Sequence, residues 1–125
     1  YAFNNVTTCV FVAGWNPGMG VPNAGNITAF NVRGNLQDTS IAAGVAPGVD
    51  GQYGTIDDVS SGGGRITGTV TVSGTLTTPG APTSYGIEAG DPAGTLTVQD
   101  SANRVRLVGT SQALFPGTTC RVRVF

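Results

Sequence analysis

Histidine and lysine are both missing: none of the 125 residues is a His, and the six basic residues are Arg33, Arg65, Arg104, Arg106, Arg121 and Arg123. Without imidazole there is no Ser-His-Asp triad, no Cys-His pair and no ordinary histidine metal site. Without lysine there is no Schiff base, no ammonium to grip a phosphate and no Lys–Asn isopeptide bond. These absences exclude more chemistry than any motif present supplies, so no enzymatic activity is expected.

Charge of either sign is also scarce. Charged residues make up 10% of the chain, less than half the usual share of about 25%, and the formal net charge is -1. So little charge leaves little repulsion between copies, which favours self-association or a surface covered by neighbours or by sugar. Six scattered arginines balanced by seven acids build no basic field, so nucleic acid is not expected as a partner. No apolar run is long enough for a membrane-spanning helix, and no amphipathic helical stripe suits a membrane surface. Insertion into a membrane is therefore not expected.

The length fits one domain, residues 1–125. The chain begins at Tyr1, and a removed signal peptide is the simplest expectation for a chain lacking an initiator Met. The two cysteines, Cys9 and Cys120, sit close to the ends. In an oxidising compartment their pairing would join the first strand to the last. Closing so long a loop is worth about 4–5 kcal/mol in the chain-entropy account. That disulfide is the expectation, with two unrelated thiols as the alternative.

Strand signals dominate what is present. Residues 5–13 (NVTTCVFVA) and 26–33 (NITAFNVR) are rich in β-branched and aromatic residues, with a Gly/Pro/Asn-rich loop between them. From 65 to 77 the chain alternates: Ile66, Gly68, Val70, Val72, Gly74 and Leu76 on one face, and Thr67, Thr69, Thr71, Ser73 and Thr75 on the other. This spacing predicts a half-buried antiparallel strand with a hydroxyl-bearing outer face. Tyr85–Glu88, Gly94–Gln99 and Arg104–Val108 read as three more strands, and Cys120, Val122 and Val124 alternate with Arg121 and Arg123 at the end. Residues 34–63 read as a long loop region, and residues 1–5 as an extended N-terminal arm. No repeat of 20–50 residues is expected. The predicted fold is all-β, a single antiparallel β-sandwich of Ig-like or jelly-roll type with seven or eight short strands. Its Gly- and Thr-rich strands are similar to those of many bacterial and archaeal surface β-domains, but no motif singles out one family.

Candidate sites are few. Asp50, Asp57 and Asp58 lie in the long loop, but Val49, Gly51 and Tyr53 occupy the early ligand positions of an EF-hand alignment. A solvated acidic loop is the better reading; no metal or cofactor is expected. Asp38-Thr39-Ser40 lacks the glycine of an aspartic-protease turn, which leaves Asp38 a turn residue. Glu88 and Asp91 could form a carboxylate pair for glycoside hydrolysis, yet nothing fixes their spacing. Asn5 and Asn26 each satisfy N-x-[ST] and are candidate sugar attachment sites. Trp15, with Tyr53 and Tyr85, could stack on a sugar; Trp15 could equally pack back on its own domain or touch a neighbouring copy.

These residues favour a secreted structural subunit of a filament, a surface layer or a virion coat, at a cell or virion surface. Its copies would associate by strand-edge pairing, with Tyr1, Phe3 and Trp15 as candidate contacts and no edge lysine to guard against it. The alternative is a carbohydrate-binding or adhesive module without catalysis.

Overall fold

The computed structural model describes residues 2–16, 21–77 and 84–125. These residues form sixteen strands and no helix. The first turn of the chain carries β1 (Ala2–Phe3), β2 (Val6–Thr7) and β3 (Val10–Ala13), followed by a small hairpin of β4 (Trp15–Asn16) and β5 (Val21–Pro22). The second turn repeats the order with β6 (Phe30–Val32), β7 (Leu36–Gln37) and β8 (Ser40–Ala43), followed by β9 (Val45–Ala46) and β10 (Val59–Ser60). The third holds β11 (Thr69–Val72) and β12 (Tyr85–Ala89). The last contains β13 (Thr95–Gln99), β14 (Arg104–Val108), β15 (Ser111–Leu114) and β16 (Arg121–Val124).

Each turn stacks on the one before it. On one side β1, β6, β11 and β13 are parallel neighbours. On a second side so are β3, β8, β12 and β16. On a third, β2 pairs with β7, and a single parallel bridge carries Leu36 on to Leu76. The chain therefore winds as a coil of stacked rungs, a β-solenoid. Within the two five-stranded sheets only β14 and β15 run antiparallel, closing the far end against β13 and β16.

The all-β expectation agrees with this architecture; the antiparallel sandwich does not, because both large sheets are mostly parallel. Alternation reports which side chains face the core and says nothing about the direction of the neighbouring strand. Ile66, Val70, Val72 and Leu76 do point inward and are at most 1% exposed, yet β11 is parallel to both of its partners.

Direction is decided at the corners. Thr8 (φ 54°) and Asp38 (φ 46°) are left-handed, an uncommon conformation for non-glycine residues. Each donates its N–H to the next rung, Thr8 to Gln37 O at 3.1 Å and Asp38 to Thr77 O at 3.2 Å. A corner of this kind hands the chain to the next side instead of reversing it. Gly44 (φ +67°) makes another corner, where a Cβ would lie 2.1 Å from the Gly63 carbonyl oxygen.

Residues 34–63 are not one loop. They contain β7 to β10, and the strand-free stretch is 47–58. Nor is the N-terminal segment a free arm, since Ala2 and Phe3 pair with Asn31 and Val32. A repeat is present as well. Val6 and Val10 align with Leu36 and Ser40, a step of 30 residues, and Leu36 aligns with Leu76, a step of 40.

An amide ladder follows the same column. Asn5 Oδ1 accepts the Asn35 N–H at 2.9 Å, and Asn35 Oδ1 accepts the Thr75 N–H at 2.9 Å. Inside the coil, Phe30, Val32, Val70 and Leu96 face Ile41, Ile87, Val122 and Val124 in one core, with Val6, Leu36 and Leu76 on the third side. Each such fully buried aliphatic contributes roughly 1.5–3 kcal/mol.

Candidate functional site

Two places stand out. The first is the open rung. Among the described residues, no strand pairs with the outer edge of β1, β2 or β3. Alternation along β3 turns Phe11 and Ala13 toward the core, while Val10 and Val12 face outward and are 58% and 36% exposed. Phe3, Phe11 and Phe30 form an aromatic cluster beneath the edge, with ring centroids 4.8–5.4 Å apart. A cavity of about 320 Å³ opens beside them, lined by β3 together with Asn26, Ile27 and Phe30. Residues 1–32 contain no Asp, Glu, Lys or Arg; the first charge in the chain is Arg33. That run was legible in the sequence, but it acquires meaning only once these residues are seen to form one end of the coil.

The second is a buried acid pair beneath loop 47–58. Glu88 on β12 and Arg123 on β16 are neighbours in register on the outer face of the second sheet. The loop carries Asp58 down onto them. Glu88, Asp58 and Arg123 are 1%, 6% and 9% exposed. Arg123 Nε donates to Glu88 Oε1 at 2.5 Å, Arg123 Nη2 lies 3.6 Å from Asp58 Oδ2, and the same Nη2 donates to Thr55 O at 2.9 Å. The guanidinium is stacked between the rings of Tyr85 and Phe125, 4.1 Å from each centroid.

One cation faces two buried carboxyls. Burial, the neighbouring Asp58 carboxyl and its charge push Glu88 up to about 9 against the opposing pull of Arg123. Glu88 therefore holds its proton at neutral pH, with the single cation Arg123 in contact with both acids. Burial and the same two acids push the Tyr53 hydroxyl up to about 12. Glu88 Oε2 and the Tyr53 hydroxyl are both buried beside the Asp58 carboxyl, which holds the pKa of each of them up.

The three loop acids are tied to the loop's own donors: Asp57 and Asp58 share the Thr55 hydroxyl, and Asp57 also accepts the Asp50 N–H. Asp58 accepts the Gly54 N–H at 2.7 Å, Asp50 accepts the Gln52 N–H at 2.8 Å, and Asp57 accepts from the Thr55 hydroxyl at 2.6 Å. The last bond draws the Asp57 carboxyl below its usual range. Among the described residues no group of three or more Cys, Asp or Glu is placed to hold a metal ion. Glu88 and Asp91 are not a pair either: Asp91 lies at a turn, bonded to Arg65 at 2.5 Å and to the Ala93 N–H. Asp38 is a corner residue, as its turn reading required.

Cys9 and Cys120 form no disulfide: Cys9 is exposed and Cys120 is buried. Register explains why. Phe11, Ile41, Ile87 and Val122 form one row across the second sheet, and each cysteine sits two residues before an end of that row. Three strand spacings, about 14 Å, separate them, whereas a disulfide needs Cα atoms within about 7 Å. The expected Cys9–Cys120 disulfide is thus overturned by topology. Accordingly, dithiothreitol is expected to move the melting temperature by less than about 2 °C, where loss of a bridge worth about 4–5 kcal/mol would lower it by about 10 °C or more. A scanning calorimetry run with and without reductant decides.

Asn5 and Asn26 are both exposed, and each carboxamide oxygen holds the next rung, Asn26 through the Arg65 N–H at 2.8 Å. Trp15 is 37% exposed and stands edge-on to Tyr53, centroids 5.9 Å apart, so it packs on the loop that covers the acid pair. Phe3 belongs to the aromatic cluster of the open rung, and Tyr1 lies outside the described residues. In comparisons with protein-family models, curated proteins and solved structures, this chain has no match.

Proposed function

We propose that the chain is a secreted structural subunit that associates with further copies by strand pairing at its open rung. One observation carries this reading: the outer edges of β1, β2 and β3 lack a strand partner among the described residues and hold none of the charges that keep edges apart. An unpaired edge offers a row of N–H and C=O groups, and the apolar ridge of Val10 and Val12 beside it gains by leaving water. The far end differs, because its edge strand β14 exposes Arg104 and Arg106. With no disulfide between Cys9 and Cys120, an extracellular or virion-surface location rests on the low charge and on the Asn- and Thr-rich surface, and a glycan at Asn5 or Asn26 fits that setting.

Val12→Lys tests the proposal. Val12 is partly exposed and outside the core cluster, so the fold is expected to persist with an unchanged far-ultraviolet spectrum. The mass by light scattering is expected to fall from an oligomer to the 12.6 kDa monomer. A wild-type chain that is already monomeric at high concentration would remove this reading.

A second reading, a carbohydrate-binding module, draws on the part-exposed Trp15 beside Tyr53. There Trp15→Ala would abolish retention on a glycan column and leave the mass unchanged.

A further inference from the structure

Resting on that reading, we infer that the partner of the open rung is the open rung of a second copy, joined antiparallel along β3 about a two-fold axis through Phe11. Hydrogen-bond direction sets the register. Cys9 O and Ala13 O accept from Ser40 N and Gly44 N of the inner neighbour, so by period two the Phe11 backbone groups also face β8, and those of Val10 and Val12 face outward. In an antiparallel pair the outward groups of Val10 meet those of Val12 in the partner, and Val12 meets Val10 in return. The two Phe11 residues then stand directly opposite each other, extending the aromatic stack of Phe3, Phe11 and Phe30 across the contact and closing the 320 Å³ cavity on both sides.

Charge separates this from head-to-tail stacking. A second first rung brings no charged side chain, since residues 1–32 contain no Asp, Glu, Lys or Arg. The opposite end would bring Arg104 and Arg106 of β14 against a surface with no acid to receive them. The self-contact is isologous, so it closes as a dimer and does not propagate. A filament or layer would then be built from dimers whose Arg-bearing ends point outward.

Cross-linking reads the register. In a Cys9→Ser background, the double variant Val10→Cys/Val12→Cys is oxidised mildly and run on a non-reducing gel. The expected result is a covalent dimer that stops at twice the 12.6 kDa chain mass, because both bridges lie within one β3–β3 contact. The comparison variant, Val12→Cys/Leu114→Cys in the same background, links β3 to β15 and is expected to give no ladder. A ladder from that variant, with no dimer from the first, overturns the two-fold contact while leaving self-association standing. Should light scattering find only monomer and neither variant cross-link, the self-association proposal falls with it. Circular dichroism of each variant confirms that the fold is retained.

Discussion

Arg123→Met is expected to lower the melting temperature by about 10–20 °C, the largest effect of any single substitution outside the apolar core. The side chain is 9% exposed, so its charge is held almost wholly inside the protein. Removing it leaves the Asp58 carboxylate, itself 6% exposed, without a cation. Breaking a buried pair from one side costs about 3–5 kcal/mol, and about 3–6 °C per kcal/mol is the scale for a domain of this size. The bond to Thr55 O goes with it, and so do the stacking contacts with Tyr85 and Phe125. Methionine retains most of the packing, so the loss is chiefly electrostatic. Adding Asp58→Asn to Arg123→Met is expected to recover a large part of the loss, since no uncompensated charge then remains. A double-mutant cycle by thermal denaturation measures this coupling. Strict additivity of the two changes would show that Arg123 and Asp58 do not act together.

The second large effect is on pH. The folded chain keeps a proton on Glu88 up to about 9, whereas the unfolded chain gives it up near the ordinary value of 4.5. Protons bound by the folded state and released by the unfolded state make stability fall as pH rises. The contribution is fully present below the unfolded value and is lost progressively until pH passes the folded one. Its steepest slope is about 1.4 kcal/mol per pH unit. Urea midpoints taken at pH 5, 7 and 9 are therefore expected to fall steadily. Glu88→Gln mimics the protonated side chain and is expected to flatten that slope, leaving the variant more stable than the wild type at pH 8 and similar to it at pH 4. A wild-type midpoint that does not change across this range would mean that Glu88 is ionised within the fold.

The contrast between these two residues shows what was legible beforehand. Inward and outward assignments followed from alternation: Cys120, Val122 and Val124 were separable from Arg121 and Arg123, and the Thr face of 67–75 from Val70 and Val72. Turn chemistry is equally plain between the strands read at 94–99 and 104–108, where Asp100 of Asp-Ser-Ala-Asn accepts the Ala102 and Asn103 N–H groups. Strand direction was not legible, because it depends on the left-handed corners at Thr8 and Asp38: threonine does not announce that conformation, and a turn at Asp38 does not say whether the chain reverses or passes to the next side. The repeat was faint for a related reason. Asn5-Val6, Asn35-Leu36 and Thr75-Leu76 do recur, but the steps between them are unequal because loop 47–58 swells one turn and not the next. Glu88 stood out only as a possible partner of Asp91, since its meeting with Asp58 and Arg123 requires a loop and two strands from three parts of the chain. The expected disulfide failed on the same point: proximity to the two ends of a chain is not proximity in a coil.

Stacking also governs how the molecule would answer tension. Rung-to-rung backbone bonds lie roughly along the coil axis, and the outermost layers, β1 to β3 on one side and β14 with β15 on the other, are the two ends of that axis. A load drawn along it falls on the bonds of one layer at a time, so the coil would peel layer by layer, as a zipper opens, rather than shear all its bonds at once. Sealing an outer layer against a second copy removes one of the two places where such peeling could start.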